Sequence, residues 1–464
     1  MRRYEEWSLG YWCLKQYVKF ADWLILKKTV VSGKEKIPEN KPILFAPNHQ
    51  NALSDPLAVL LNTRFQPVWL ARADIFQKSK IINAILKFLK IMPVYRLIDG
   101  KENLEKNDQT FADSIKVLEN NFALALFPEA AHSRKRQMLT HKKAVPRIVF
   151  MAEEKTGYNL DIQSVPTGIY YSDYWKFNRT VIVRFGEPIP VKKYLEEYRQ
   201  NPNAATLSMR QDIHDAISPL IIDIRSNQFY SEFEKTREMY GGHFLKRKDT
   251  KFSIWQRYLS DIQLTRKLDQ LENEKPDAAQ MVAGKVNQLD QKIRDLKIRS
   301  WLTEKNQHHP GKLLLSLFIL FVTFPVFLFG FAFNAIPFFL IDRLIRKKVK
   351  DFSFWSSFFL VAGIVVFPLF YLFEWLAFAW LIPGAGLKIL FLVSLPFAGK
   401  LAFRWYILLR KTMGRWRVLH LKWFNNDKYR QLMHEKEELF GLLDQLISTE
   451  STSGRTMLKT GEVI

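Results

Sequence analysis

Between residues 29 and 191, short apolar runs alternate with stretches in which apolar residues recur every three or four positions. The run at 42–47 predicts a buried strand, and similar runs predict strands at 67–71, 122–127, 162–169 and 180–185. Helices are predicted between them, one starting at 57–62, an amphipathic one over 75–89, and others over 111–120 and 145–155. Strands alternating with helices imply an α/β domain with a mostly parallel central sheet covered by helices, bounded here as 29–204. Ahead of it, residues 1–28 predict an amphipathic helix interrupted by Lys15, Lys19 and Asp22, with Trp7, Tyr11, Trp12, Tyr17, Phe20 and Trp23 as its large aromatic side chains. Such a helix fits either a bilayer interface or the protein's own core.

After the α/β domain the pattern changes twice. Residues 205–310 are charged and helically periodic, and predict a hairpin or short coiled coil with breaks at Gly241-Gly242 and Glu274-Lys-Pro276. This region is expected to pack on the α/β domain or on another copy of the chain. Residues 313–341 and 352–373 then carry no charge, nor do 375–387 and 389–399, so 311–424 predicts a C-terminal α-helical membrane region. The first apolar span is too long for one untilted crossing and too short for two, and Pro325 and Pro337 are where it could kink or turn back. Basic clusters at 343–350 and 400–417 belong on the cytoplasmic side by the positive-inside rule, with 352–399 as a hairpin between them. If the first span is a re-entrant hairpin, that expectation puts the α/β domain at the cytoplasmic face as well, most simply of a bacterial inner membrane. The tail 425–464 predicts a helix to about residue 446, then disorder.

Composition narrows the partners. The excess of 69 Lys and Arg over 46 Asp and Glu asks for an anionic partner. With 37 Phe, 13 Trp and an apolar C-terminal third, a phospholipid membrane fits and nucleic acid does not. The one cysteine, Cys13, excludes intrachain disulfides and paired-cysteine metal sites, and reads as a packing residue.

The chemistry concentrates in Ala46-Pro-Asn-His-Gln-Asn-Ala-Leu-Ser-Asp-Pro56. His49 follows a predicted strand, and Asp55 is read as the N-cap of the next helix with Pro56 at its first position. A histidine paired with a carboxylate can take a proton from an alcohol near neutral pH, the carboxylate fixing the tautomer and stabilising the imidazolium. Three later segments sit at spacings one α/β domain can gather: Ile91-Met-Pro-Val-Tyr-Arg96, Leu124-Ala-Leu-Phe-Pro-Glu-Ala-Ala-His-Ser133 and Val165-Pro-Thr-Gly-Ile169. Ser54 lacks the Gly-x-Ser-x-Gly setting of a nucleophilic serine. His132 and His141 lack metal-ligand spacing, and no metal or other cofactor is expected.

In this order the segments resemble the glycerolipid acyltransferase family, which includes glycerol-3-phosphate and lysophosphatidic acid acyltransferases. The resemblance covers about 140 residues, through Asn48, His49 and Asp55, then Arg96, Phe127-Pro128-Glu129 and Val165-Pro166. It implies His49 and Asp55 as the catalytic pair, with Asn48, Arg96, Glu129, Ser133, Lys142 and Pro166 binding substrate. Arg96 and Lys142 would hold an acceptor phosphate, and Glu129 would bond an acceptor hydroxyl or orient Arg96, a structural ion pair being its alternative. Three departures stand out. Five residues, Gln50 to Ser54, separate His49 from Asp55 where most of the family has four, as in the fungal-type glycerol-3-phosphate/dihydroxyacetone-phosphate branch. Ala130 stands where the family has glycine, and Ala131-His132-Ser133 replaces Thr-Arg-Ser. Leu139-Thr-His-Lys-Lys-Ala144 resembles a Leu-Pro-x-Lys-x-Gly stretch, again with alanine for glycine. The basic run Arg134-Lys-Arg136 reads as a solvated face, or as a site for donor phosphates or the membrane surface.

The implied function is transfer of a fatty acyl group from a thioester donor, acyl-CoA or acyl-carrier protein, to a hydroxyl of glycerol 3-phosphate or a lysophospholipid. The alternatives are an acyltransferase for a non-phosphate acceptor, of aminolipid or carotenoid type, and a catalytically silent membrane scaffold.

Overall fold

Strand β2, Ile43–Pro47, is buried at all its positions, which is why its sequence is a continuous apolar run rather than an alternating one. The computed structural model describes residues 4–76, 79–95, 105–132, 134–304, 307–447 and 462–463. In it β2 lies mid-sheet. The other strands are β1 (Lys28–Ser32), β3 (Val68–Arg72), β4 (Ile91–Val94), β5 (Ala123–Ala125), β6 (Gln163–Tyr171), β7 (Thr180–Phe185), β8 (Ile189–Pro190) and β9 (Glu462–Val463). They run in the order β4-β3-β5-β2-β6-β7-β1-β9, with β8 beside β6. Neighbours from β4 through to β6 are parallel, as are β7 and β1, while β6 meets β7 and β8 antiparallel and β9 meets β1 antiparallel. The expected mostly parallel sheet is present.

The register of this sheet decides where chemistry can sit. Phe45 of β2 pairs with Ala125 of β5, and Pro47 of β2 pairs with Thr167 of β6. Because β2 and β5 are parallel and in register there, the chain leaves both at the same end. His49 and Glu129 each come four residues further on, so pairing alone gathers them. On one face Leu44, Val68 and Leu124 pack with Ile115, Val149 and Ile213. On the other, Ile43, Phe45, Val165 and Val183 pack with Ala58 and Val59.

The helices are α1 (Leu9–Ile25), α2 (Ser54–Leu60), α3 (Lys80–Phe88), α4 (Lys106–Glu119), α5 (Ala144–Lys155), α6 (Leu195–Gln200), α7 (Pro202–Ile217), α8 (Tyr230–Lys246), α9 (Ile254–Glu274), α10 (Pro276–Asp295), α11 (Pro310–Val322), α12 (Phe324–Lys348), α13 (Trp355–Phe378), α14 (Ala385–Phe424) and α15 (Asn426–Leu446). Two compact units emerge: Met1–Ile221 with Val349–Leu360 and β9, and Ile222–Lys348 with most of the chain after Val361.

In the first unit the N-terminal helix serves the core on one face. Tyr11 is buried, and Lys15 donates to the carbonyls of Thr63 (2.7 Å) and Phe65 (2.8 Å), while Trp7, Trp12 and Trp23 stay exposed. Tyr11 therefore does not belong with the interfacial aromatics. The helix expected over 75–89 begins instead at Lys80, where the Ser79 hydroxyl accepts from the Ile82 amide at 3.1 Å and fixes the start.

In the second unit α9 and α10 form the expected hairpin, broken at Lys275-Pro276. Gly241-Gly242 do not break α8, which runs through them. A Cβ on Gly241 would lie 2.5 Å from Asp261 Oδ1, so this glycine admits the buried Arg237–Asp261 ion pair (2.8 Å). The first apolar span is two helices, α11 and α12, divided at Thr323 just before Pro325. Along α14 their contacts run in one sense, Ser316 to Arg415, Leu320 to Trp405, Gly330 to Ala398 and Asn334 to Leu395, so the span does not turn back on itself. Small residues permit the approach, since a Cβ on Gly330 would sit 2.2 Å from the Ala398 carbonyl. By length and composition α12, α13 and α14 are long and apolar enough to cross a membrane.

Gly168 of β6 is a sharp test of the sheet packing, because an added Cβ would meet the Leu220 carbonyl oxygen at 2.5 Å and no side chain could yield. Gly168→Ala is expected to destabilise the first unit by about 1–3 kcal/mol, read as a lowered Tm of the full chain in detergent.

Candidate active site

The site is built on the turn that leaves β2. Asn48 anchors it: its backbone N–H donates to the Thr167 carbonyl (3.2 Å), and its side chain both donates to the Ile169 carbonyl (3.2 Å) and accepts from the Ile169 amide (2.6 Å). With both amide atoms committed to β6, Asn48 is fully buried and holds the turn that presents His49.

His49 Nδ1 lies 2.8 Å from Asp55 Oδ2. The same oxygen accepts from the main-chain amides of Gln50 and Asn51, both at 2.6 Å. Asp55 is buried and sits inside the first turn of α2, with Leu53 at the cap position in place of Asp55. The expected capping role is absent because the carboxylate turns back to the loop before it. Within this loop Ala52 adopts a left-handed φ of 38°. Bonded to Asp55 through Nδ1, the ring offers Nε2 as a proton acceptor. Tyr171 is buried near Asp55, and burial first, then the Asp55 charge, push its phenol well above the usual range, so it stays neutral.

Glu129 braces the turn from the side of β5. Its Oε1 accepts from the His49 amide (2.8 Å), and its Oε2 accepts from the Leu139 amide (2.9 Å). Next to it Ala130 adopts φ 57°, a left-handed conformation that costs an alanine about 1 kcal/mol and a glycine almost nothing. Lys142 is brought alongside by its amide, which donates to the Pro128 carbonyl at 2.7 Å, and its side chain is exposed. Pro166 is buried in β6 opposite Ala46, and its carbonyl accepts from Gly186 at 2.8 Å. Arg96 and Ser133 lie outside the described residues.

Aromatic rings enclose the histidine. His49 stacks on Phe127 with centroids 4.0 Å apart, and Phe127 stacks on Trp69 at 5.4 Å. His132 meets His49 edge to face at 5.5 Å, and Phe354 meets His132 the same way at 5.4 Å. Nearby cations are engaged locally. Arg134 pairs with Asp351 and lies over Phe352. Arg136 is buried over Tyr170 (4.8 Å) and Tyr174 (5.1 Å), so it is no part of a solvated face. Arg179 donates to the Ser54 hydroxyl at 3.0 Å and to the Tyr174 carbonyl.

Sequence reasoning gathered His49, Asp55, Glu129, Lys142 and Pro166, and these do converge around β2, β5 and β6. It did not single out the amides of Gln50 and Asn51, which leave no side-chain signal, nor the Phe127–Trp69 stack. It also missed the return of Val349–Leu360 to this unit, which no local pattern announces. Among the described residues no cluster of His, Cys, Asp and Glu could hold a metal ion.

His141 has a separate, structural meaning. It is buried, neither ring nitrogen has a hydrogen-bond partner, and His214 packs against it at 5.1 Å. Burial first, then His214 and Arg210, lower its pKa from 6.5 to about 4. Between those values the unfolded chain binds a proton that the folded one refuses, so stability falls as pH drops from about 6.5 to about 4 and is unaffected above that window. His141→Leu is expected to flatten this part of the Tm-against-pH curve, measured by thermal unfolding of the full chain.

Residues 28–170, which run from β1 into β6 and include the whole turn-and-brace arrangement, match the family model described as Acyltransferase. Among solved structures, the 1-acyl-sn-glycerophosphate acyltransferase of Thermotoga maritima is similar, with 18% identity over 44% of this chain and 78% of that one and a TM-score of 0.31. None of the curated proteins matches the chain. The family match covers the strands that lead to His49, Asp55 and Glu129, and the helices that follow in the chain lie outside it.

Proposed function

We propose that this protein is a membrane-bound O-acyltransferase that moves a fatty acyl group from a thioester donor, acyl-CoA or acyl-carrier protein, to a hydroxyl of glycerol 3-phosphate or a lysophospholipid. The observation that carries the proposal is the 2.8 Å contact between His49 Nδ1 and a buried Asp55 carboxylate, at the end of a strand of an acyltransferase domain. His49 Nε2 takes the acceptor hydroxyl's proton as its oxygen attacks the thioester carbonyl. The tetrahedral intermediate expels the thiolate, which takes the proton from His49. No covalent acyl-enzyme is needed. Glu129 and Asn48 keep the His49 turn in place, and Lys142, with Arg96, would meet an acceptor phosphate as charged donors. The apolar helices α12, α13 and α14 would keep the reaction at a lipid surface. The five-residue spacer after His49 inclines the acceptor toward glycerol phosphates.

A second reading, a non-phosphate lipid alcohol or amine as acceptor, is favoured by the way Arg134, Arg136 and Arg179 are each engaged by carboxylate, aromatic or main-chain partners.

Purified full-length protein given labelled acyl-CoA and a panel of glycerol 3-phosphate, lysophosphatidic acid and neutral lipid acceptors is expected to yield labelled lipid. His49→Ala is expected to lower that yield by about 10³-fold or more while membrane insertion and Tm are kept. Retained transfer in His49→Ala, or none in the parent with any acceptor, would contradict the proposal.

A further inference from the structure

The segment Val349–Leu360 belongs to the same unit as the sheet although the chain reaches it only after α12. It is fastened at several points. Asp351 pairs with Arg134, Phe352 meets Trp175 at 4.7 Å, the Ser356 hydroxyl reaches Asn51 Oδ1 at 3.4 Å, and Phe359 meets Phe177 at 4.5 Å. Between these points Phe354 presses on His132, and His132 on His49. The strap therefore ends, through one intermediate ring, on the catalytic histidine.

His132 is a costly residue for packing alone. The ring is half-buried, and its Nδ1 is buried with no hydrogen-bond partner. Leaving such an atom unpaired costs about 1–3 kcal/mol, which an apolar ring of the same size would avoid. Nε2 is then the ring nitrogen able to meet a substrate. Two rings with centroids 5.5 Å apart can share one reacting centre. The acceptor oxygen would lie within about 3 Å of one and the carbonyl oxygen within about 3 Å of the other.

We propose that His132 is a second catalytic residue, held by Phe354 of the strap, whose Nε2–H donates a hydrogen bond to the thioester carbonyl oxygen as that oxygen becomes an oxyanion. The inference rests on the acyl-transfer reading above. In the step, the acceptor oxygen bonds to the carbonyl carbon, its proton goes to His49 Nε2, and the carbonyl π pair moves to the oxygen facing His132. Collapse restores the C=O bond and breaks the C–S bond, and the leaving thiolate takes the proton from His49. His132 keeps its own proton throughout. Burial first, then the neighbouring His49 and Arg134, lower the His132 pKa, so it meets the carbonyl as an uncharged donor that does not repel a protonated His49.

The test compares His132→Phe and His132→Gln with the parent in the full chain, measuring kcat, KM for each substrate and the pH profile. Loss of one oxyanion donor is expected to lower kcat by about 10²-fold in His132→Phe with both KM values within about threefold. The acid limb of the profile should stay in place, because His49 keeps its Asp55 partner. His132→Gln, which can still donate an N–H, is expected to recover at least about tenfold of that loss. Activity of His132→Phe within about threefold of the parent would overturn the inference. So would a His132→Gln no better than His132→Phe, or a displaced acid limb, since either marks a packing role. A parent that acylates nothing would instead remove the acyl-transfer reading itself.

Discussion

One carboxylate oxygen organises the centre of this protein. Asp55 Oδ2 receives the His49 ring and the amides of Gln50 and Asn51, all at 2.6–2.8 Å, in the buried loop between β2 and α2. Hydrogen bonds to an ionised acceptor are stronger than neutral ones, and two of these satisfy loop amides that would otherwise be buried without partners. The same atom thus closes the turn after β2 and engages Nδ1 of His49, so that Nε2 lies on the far side of the ring. Glu129 does the complementary work from the turn after β5, accepting from the His49 amide, so the histidine is held at ring and backbone by two carboxylates, one in the first turn of α2 and one beyond β5.

The strand register makes this convergence possible. His49 and Glu129 are 80 residues apart in the chain, yet each lies four residues past a paired position, Phe45 opposite Ala125. Asn48 then stitches the turn to β6 on the opposite side. Three neighbouring parallel strands therefore bring one turn, one brace and one anchor to a common end of the sheet.

Much of this was legible in sequence because the cues were local. The apolar run at 42–47 gave β2 to within one residue, and the His–Asp block named two side chains that do meet, whereas Glu129, expected to bond an acceptor hydroxyl or orient Arg96, accepts from two main-chain amides. What escaped were features in which backbone or distance decides. Asp55 was read as a helix cap because Asp-Pro is a common start, but its oxygen is spent on the preceding loop. Gly241-Gly242 looked like a break, yet the missing Cβ atoms admit a buried ion pair from α9 within an unbroken helix. Ala130 takes a left-handed φ of 57°, a conformation that the residue type does not announce. The strap of Val349–Leu360 is some 300 residues from His49, and only the folded chain brings Phe354 and His132 to it.

The central claim is that Asp55 makes His49 a working base, and the rate of Asp55→Asn tests it most directly. Asparagine keeps the size and can still accept from the loop amides, but it cannot stabilise an imidazolium. In full-length protein that inserts in the membrane and melts like the parent, Asp55→Asn should lower kcat for acyl transfer by about 10³–10⁴-fold. A variant within about tenfold of the parent would contradict the claim and leave the His49–Asp55 contact as a structural bond only.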